Sequence, residues 1–192
     1  MVGLGLDVPH SPVVIDIGAN AGFFTLFAAS RFSDARILSF EPVPSNFRQL
    51  ERNRSLNKNC RITCFEKAVA GHSGKISLGL DADDSFTTDA TIFERRDKED
   101  EIIEAPSVTL PEIFDEFGLE RCDVLKMDCE GAEYEILYNC PPSYMSRISQ
   151  IAMEVHGGPE PEYNIESLEK YLNSCGFATR RRPVGMLWAW RR

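Results

Sequence analysis

Residues 16–22 read Asp-Ile-Gly-Ala-Asn-Ala-Gly; they close the run from Val13 to Ile17 and open onto a helical pattern that begins at Phe23. That order predicts a strand, a tight turn and a helix whose first backbone N–H groups have no partner inside the helix. Asp16, Gly18, Asn20, Gly22 and Phe23 are therefore candidates for gripping a ligand. Glu41 ends the next apolar run, residues 37–40, where an acid can accept hydrogen bonds from both hydroxyls of a ribose. The pair points to a nucleoside-bearing cofactor.

The spacing of the turn argues against a dinucleotide. A pyrophosphate turn wants Gly-x-Gly-x-x-Gly, and here the middle position is Asn20 and the third is Phe23. Asn enters the left-handed region at modest cost, so the turn survives the exchange while close approach of a pyrophosphate is disfavoured.

Two further segments carry chemistry. Lys126, Asp128 and Glu130 alternate at the end of one strand pattern, and Glu154 and His156 alternate at the end of the next. Unpaired carboxylates are too costly to bury, so so many charges at strand ends imply a site. Asp128 and Glu130 are candidates for steering a cationic donor and its acceptor. His156 is the leading general-base candidate because an unperturbed imidazole titrates near neutrality, although orienting and packing roles stay open. Glu133, one helical turn on, is read either as part of the site or as a carboxylate at a helix N-terminus.

Three motifs stand in register: DIGANAGFF at residues 16–24, FEPVP at 40–44 and KMDCEGAE at 126–133. Together they resemble the FkbM family of class I methyltransferases, over residues 13–156. The resemblance implies S-adenosylmethionine as cofactor and O-methylation of a hydroxyl on a small molecule or sugar. Asp16, Gly18, Asn20, Gly22, Phe23, Glu41, Ala68 and Asp128 are then expected around the cofactor, and the resemblance puts the acids Asp128 and Glu130 at the methyl-donor pocket, which Glu154 and His156 join as reaction candidates from their own place at a strand end. The implied fold is a Rossmann-like, seven-stranded α/β sheet, mostly parallel with a C-terminal antiparallel hairpin and helices on both faces. Two alternatives remain: a nucleoside-binding interaction module without catalysis, and an NAD-dependent oxidoreductase. Residues 139–142, Asn-Cys-Pro-Pro, superficially resemble a motif of amino methyltransferases but follow a helix and read as its stop. Pro111 stands where the family commonly has an acid, leaving Glu112 as the substitute.

Strands are expected at residues 13–17, 37–40, 62–65, 123–127 and 148–155, alternating with helices at 23–31, 45–56, 110–117, 131–138 and 165–175. Ser45 is the expected cap of the second helix, and Ala68 falls in the loop after the third strand. Residues 177–182 and 186–190 form the closing hairpin. Residues 1–192 read as a single domain, with 81–106 an acidic surface loop or lid. Asp81, Asp83 and Asp84 lack the pattern of a calcium loop, and no metal-ligand set is assigned.

The chain has 21 basic and 30 acidic residues, a net charge of -9 that disfavours nucleic-acid partners. The arginines at 180–182 and 191–192 read as a solvated strand edge. Cysteines 60, 64, 122, 129, 140 and 175 lack zinc spacing and read as reduced thiols, which with the absence of a signal sequence points to the cytoplasm. No run approaches the length of a membrane span. The early arrival of the first motif is compatible with an N-terminal extension absent from this sequence. The expected partner is a small-molecule or glycan hydroxyl acceptor, with room for a homodimer.

Overall fold

The computed structural model describes residues 8–57, 61–80 and 101–191. The main sheet comprises β1 (Val13–Ile17), β2 (Arg36–Phe40), β3 (Arg61–Phe65), β7 (Val124–Met127), β8 (Gln150–Glu154), β9 (Phe177–Arg181) and β10 (Met186–Arg191). Its order is β3-β2-β1-β7-β8-β10-β9, parallel except where β10 runs against β8 and β9. The chain winds outward from β1 through β2 to β3, then returns to place β7 on the other side of β1. Strand order therefore reverses between β1 and β7, and that is where an open α/β sheet presents a crevice at its carboxyl edge.

Side-chain alternation divides the core. Val14, Ile37, Ile62 and Val124 face α1 (Phe23–Arg31) and meet Ala28 and Ala29. Ile15, Ile17, Leu38, Phe40, Leu125 and Met127 form the larger core with α3 (Leu110–Glu116), α4 (Glu133–Tyr138) and α6 (Ile165–Ser174). The remaining helices are α2 (Pro44–Ser55) and α5 (Pro142–Met145), the latter directly after the Pro141 stop.

Several expectations change. Ser45 does not cap α2: Val43 is the N-cap and Pro44 opens the helix, as its missing N–H and fixed φ allow. Ala68 lies in a two-residue strand, β4 (Ala68–Val69), rather than a loop, parallel to β6 (Glu101–Val108). β6 also pairs antiparallel with β5 (Gly74–Leu80), so the expected loop over 81–106 gives way to strand from Glu101. Its acids concealed this, because Ile103 and Ala105 reach the small core with Ile76 and Leu78 while Glu104 turns outward to Lys75 at 2.9 Å. Residues 81–100, including Asp81, Asp83 and Asp84, lie outside the described residues, as does Cys60. The other cysteines are free thiols.

Glu112 works in a capping box: its Oε2 accepts from Thr109 N at 2.8 Å while Thr109 Oγ1 accepts from Glu112 N. Three of the C-terminal arginines are spent structurally, and Arg192 lies outside the described residues. Arg181 pairs with Glu166 and Glu169, Arg182 lies over Trp188, and Arg191 donates to the carbonyls of Ile148, Cys175 and Met145. Among the described residues, no helix is long and apolar enough to cross a membrane.

Candidate active site

The turn after β1 is built from left-handed backbone: Gly18 at φ 68°, Asn20 at 49° and Gly22 at 89°. Gly18 has no room for a side chain, since a Cβ there would lie 1.7 Å from the Asp128 carbonyl oxygen. The N–H groups of Gly18 and Ala19 both donate to Phe40 O at 3.0 Å, tying the turn to the end of β2. Ala21 N donates to the Asn20 side chain at 2.7 Å, and Gly22 N to Ala19 O at 2.8 Å. The turn's own amides are thus occupied. Open donors come one step later: Leu26 N is the first amide of α1 to find a helical acceptor, at Gly22 O, leaving those of Phe23, Phe24 and Thr25 without a backbone partner among the described residues. Phe23 leads this helix and is 82% exposed.

Glu41 sits at the floor of the crevice, 4% exposed. Its Oε2 accepts from Asn20 N at 2.7 Å and its Oε1 from Val43 N at 2.9 Å, so one carboxylate links the turn to the start of α2. Burial raises its pKa, and the two amide donors act against that rise. The Asn46 side chain is a further donor to this carboxylate, whose four lone-pair positions leave room for one more.

Asp16 lies beneath the turn rather than in it, with no exposed surface. Its Oδ2 accepts from Thr25 Oγ1 at 2.6 Å and its Oδ1 meets Lys126 Nζ at 3.3 Å. Lys126 also donates to Gly18 O at 2.6 Å and lies 3.7 Å from Asp128 Oδ2. Thr25, Ser39 and Lys126 form a buried polar support under the turn, and its sequence signal was confined to the alternation of Lys126 with Asp128.

The third group surrounds His156. Strand β7 ends at Met127, so Glu130 does not continue its alternation; it adopts φ 51° in the loop, and Gly131 follows at 105°. That bend brings Glu130 Oε2 to 3.4 Å from His156 Nε2. Glu133 Oε1 lies 3.0 Å from Nδ1 and also accepts from Cys129 N, while Glu154 Oε1 stands 4.0 Å from Nε2. Tyr134 Oη donates to His156 O at 2.6 Å and fixes the strand exit. Glu133 therefore serves both the helix start and the imidazole. Nothing local in the sequence marks its contact with His156, which spans 23 residues.

These acids change the chemistry of His156. The hydrogen bond to Glu133 is the largest cause, with the charges of Glu133, Glu130 and Asp128 adding to it, and burial opposes; the pKa is pushed up to about 9. The expectation of an imidazole poised near neutrality gives way to a protonated one. Because the folded value exceeds the ordinary 6.5, the stabilisation is complete below 6.5 and is lost as pH rises through about 9. An NMR titration should place the His156 midpoint near 9, and Glu133→Gln should return it toward 6.5. A wild-type midpoint at the ordinary value would contradict the ion pairing.

Comparison with known proteins decides the family. Residues 16–178 match the Methyltransferase FkbM domain. The chain belongs to the FkbM methyltransferase family. It is 26% identical to methyltransferase sdnD of Sordaria araneosa over 202 residues, covering 91% of this chain and 77% of that protein. It is also 26% identical to the 31-O-demethyl-FK506 methyltransferase FkbM of Streptomyces tacrolimicus, covering 79% of this chain and 68% of the relative. The crystal structure of methyltransferase FkbM from Methylobacillus flagellatus KT superposes with a TM-score of 0.64 at 15% identity, covering 97% of this chain and 45% of that one. The chain thus spans under half the length of that solved structure, and the likeness establishes the class I methyltransferase fold.

Within this FkbM domain the structure brings Gly18, Asn20, Gly22, Phe23, Glu41 and Asp128 to one edge of the β1–β7 crevice. Glu130, Glu154 and His156 gather at the adjoining end of β8. Ala68 is buried in β4 and contributes to the small core. Beside both groups lies a cavity of about 330 Å³ lined by Phe24, Phe27, Lys126, Asp128, Glu154 and Trp188 among others. His10 and His72 stand apart: His10 pairs with Asp34 at 3.1 Å, and His72 offers its carbonyl to Ser107.

Proposed function

We propose that this FkbM domain is an S-adenosylmethionine-dependent methyltransferase acting on a hydroxyl of a small molecule or sugar. The observation that carries the reading is the junction of turn and helix, where left-handed backbone at Gly18, Asn20 and Gly22 precedes the unpartnered amides of Phe23 and Phe24, with Glu41 at the floor. The fit is chemical: helix amides suit the cofactor's carboxylate, and the Glu41 carboxylate suits ribose hydroxyls. When bound, the cofactor supplies an electrophilic methyl group.

The chain's residues bind, orient and receive a proton. Asp128, Glu130 and Glu154 give the crevice a negative wall that favours a sulfonium. With His156 protonated at neutral pH, the group left to take the hydroxyl proton is a carboxylate, and Glu154 Oε1 borders the cavity. Much of the acceleration then comes from in-line positioning, which can supply about 7 to 11 kcal/mol. The relative named as a 31-O-demethyl-FK506 methyltransferase supports a hydroxyl acceptor.

Calorimetric titration with S-adenosylmethionine tests the reading. The wild-type chain should bind, and Glu41→Ala should weaken binding at least ~10-fold, since a charge-assisted hydrogen bond contributes roughly 1.5–3 kcal/mol. Binding of nicotinamide adenine dinucleotide in its place would overturn the reading.

A further inference from the structure

The acidic group around His156 has the layout of a metal centre. One ligand atom from each of Asp128, Glu130 and His156 falls within 4.8 Å of the others. The Nε2 to Glu130 Oε2 distance of 3.4 Å is the spacing of two ligands on a tetrahedral ion with bonds of about 2.1 Å. A second observation points the same way from behind the ring. Glu133 is wholly buried, its Oε1 meets Nδ1 at 3.0 Å, and its Oε2 has no hydrogen-bond partner among the described residues. A carboxylate holding one imidazole nitrogen so that the other faces ligands is the supporting shell that metal-binding histidines use. Lys126, the neighbouring cation, meets Asp16 at 3.3 Å and the Gly18 carbonyl at 2.6 Å, and stands farther, at 3.7 Å, from Asp128 Oδ2.

We propose that Asp128, Glu130 and His156 Nε2 bind a divalent transition-metal ion, which releases the Nε2 proton to solvent and takes the place of the imidazolium's charge, with Glu133 orienting the imidazole through Nδ1. One nitrogen and two carboxylates favour Mn²⁺ or Zn²⁺ over Ca²⁺, which prefers an all-oxygen shell of higher number. Three protein ligands leave positions open beside the cavity that Asp128 lines. Resting on the methyltransferase reading above, those positions would take the acceptor hydroxyl and make it more acidic.

The test uses the full chain without S-adenosylmethionine, so its outcome is separate from cofactor binding. Mn²⁺ titrated into the wild-type chain should bind one ion, counted from the EPR signal of the free ion, and should broaden the NMR resonances of His156 before those of His10 or His72. Asp128→Asn, at a half-exposed position and with circular dichroism to confirm folding, and His156→Ala should each weaken binding at least ~10-fold, and Glu133→Gln by roughly 10- to 100-fold. Ca²⁺ should compete poorly. Failure of Mn²⁺ and Zn²⁺ to bind, equal broadening of all three histidines, or affinity unchanged in Asp128→Asn would overturn the site. If S-adenosylmethionine still binds in that case, only the metal inference falls.

Discussion

Gly18→Ala should abolish measurable binding of S-adenosylmethionine. The substitution meets two independent obstacles. A Cβ at φ 68° carries the left-handed penalty of roughly 1–2 kcal/mol. It would also lie 1.7 Å from the Asp128 carbonyl, and that atom is backbone, which cannot swing aside as a side chain can. The turn must therefore lift from β7, breaking the paired bonds from Gly18 and Ala19 to Phe40 O and carrying Asn20 N away from Glu41. Loss of about 3 kcal/mol corresponds to roughly two orders of magnitude in affinity. Asn20→Gly is the matched control, because glycine accepts the same φ of 49° without strain. Calorimetry on both variants, with circular dichroism to confirm folding, should show binding lost in the first and largely kept in the second. Equal affinity in Gly18→Ala and wild type would refute the close packing of the turn on β7.

Lys126→Met should cost about 3–5 kcal/mol of stability, the usual penalty for leaving a buried charge without its partner. Asp16 has no exposed surface, and Lys126 is the cation that meets its Oδ1. Burial raises the Asp16 pKa even with Lys126 present, the lysine's charge being the leading influence against the rise. A raised folded value means that the folded chain holds the proton more tightly than the unfolded one. The stability associated with Asp16 is then greatest below its unfolded pKa and falls as pH climbs through the folded value. Removing Lys126 lifts that value further, so the deficit should shrink in mildly acidic solution. Asp16→Asn in the same chain should recover most of the loss at neutral pH. Urea unfolding of the single and double variants at neutral and acidic pH measures both effects. A deficit independent of pH would mean that Lys126 acts through packing alone.

Much of this was written in local pattern. The Asp16 to Gly22 turn, Glu41 after β2 and the acids after β7 could be placed at strand ends because strand and helix periods differ, and parallel strands put those ends on one edge. The turn's left-handed residues were legible as well, since Gly and Asn are the types that tolerate positive φ. What escaped was the partner of each group. Glu41 accepts from Asn20 and Val43 rather than waiting empty, and the turn's amides are spent so that the open donors begin at Phe23. Strand β6 was hidden because Glu104 and Pro106 stand between its inward residues Ile103, Ala105 and Ser107, and its partner β5 lies across an intervening stretch of chain.

The sequence by itself determined the alternation of strands and helices and the edge at which chemistry belongs, because these follow from periodicity and from residue types with few conformational options, while the family was legible through the resemblance of three motifs in register. Only the tertiary structure decided the ionisation of His156 and the burial of Asp16. A pKa depends on which charges stand within a few ångströms, and Glu130 and Glu133 reach the imidazole from the segment after β7, far from His156 along the chain. Distance along the sequence carries no information about that proximity until the loop bends at Glu130 and Gly131 and the chain closes on itself.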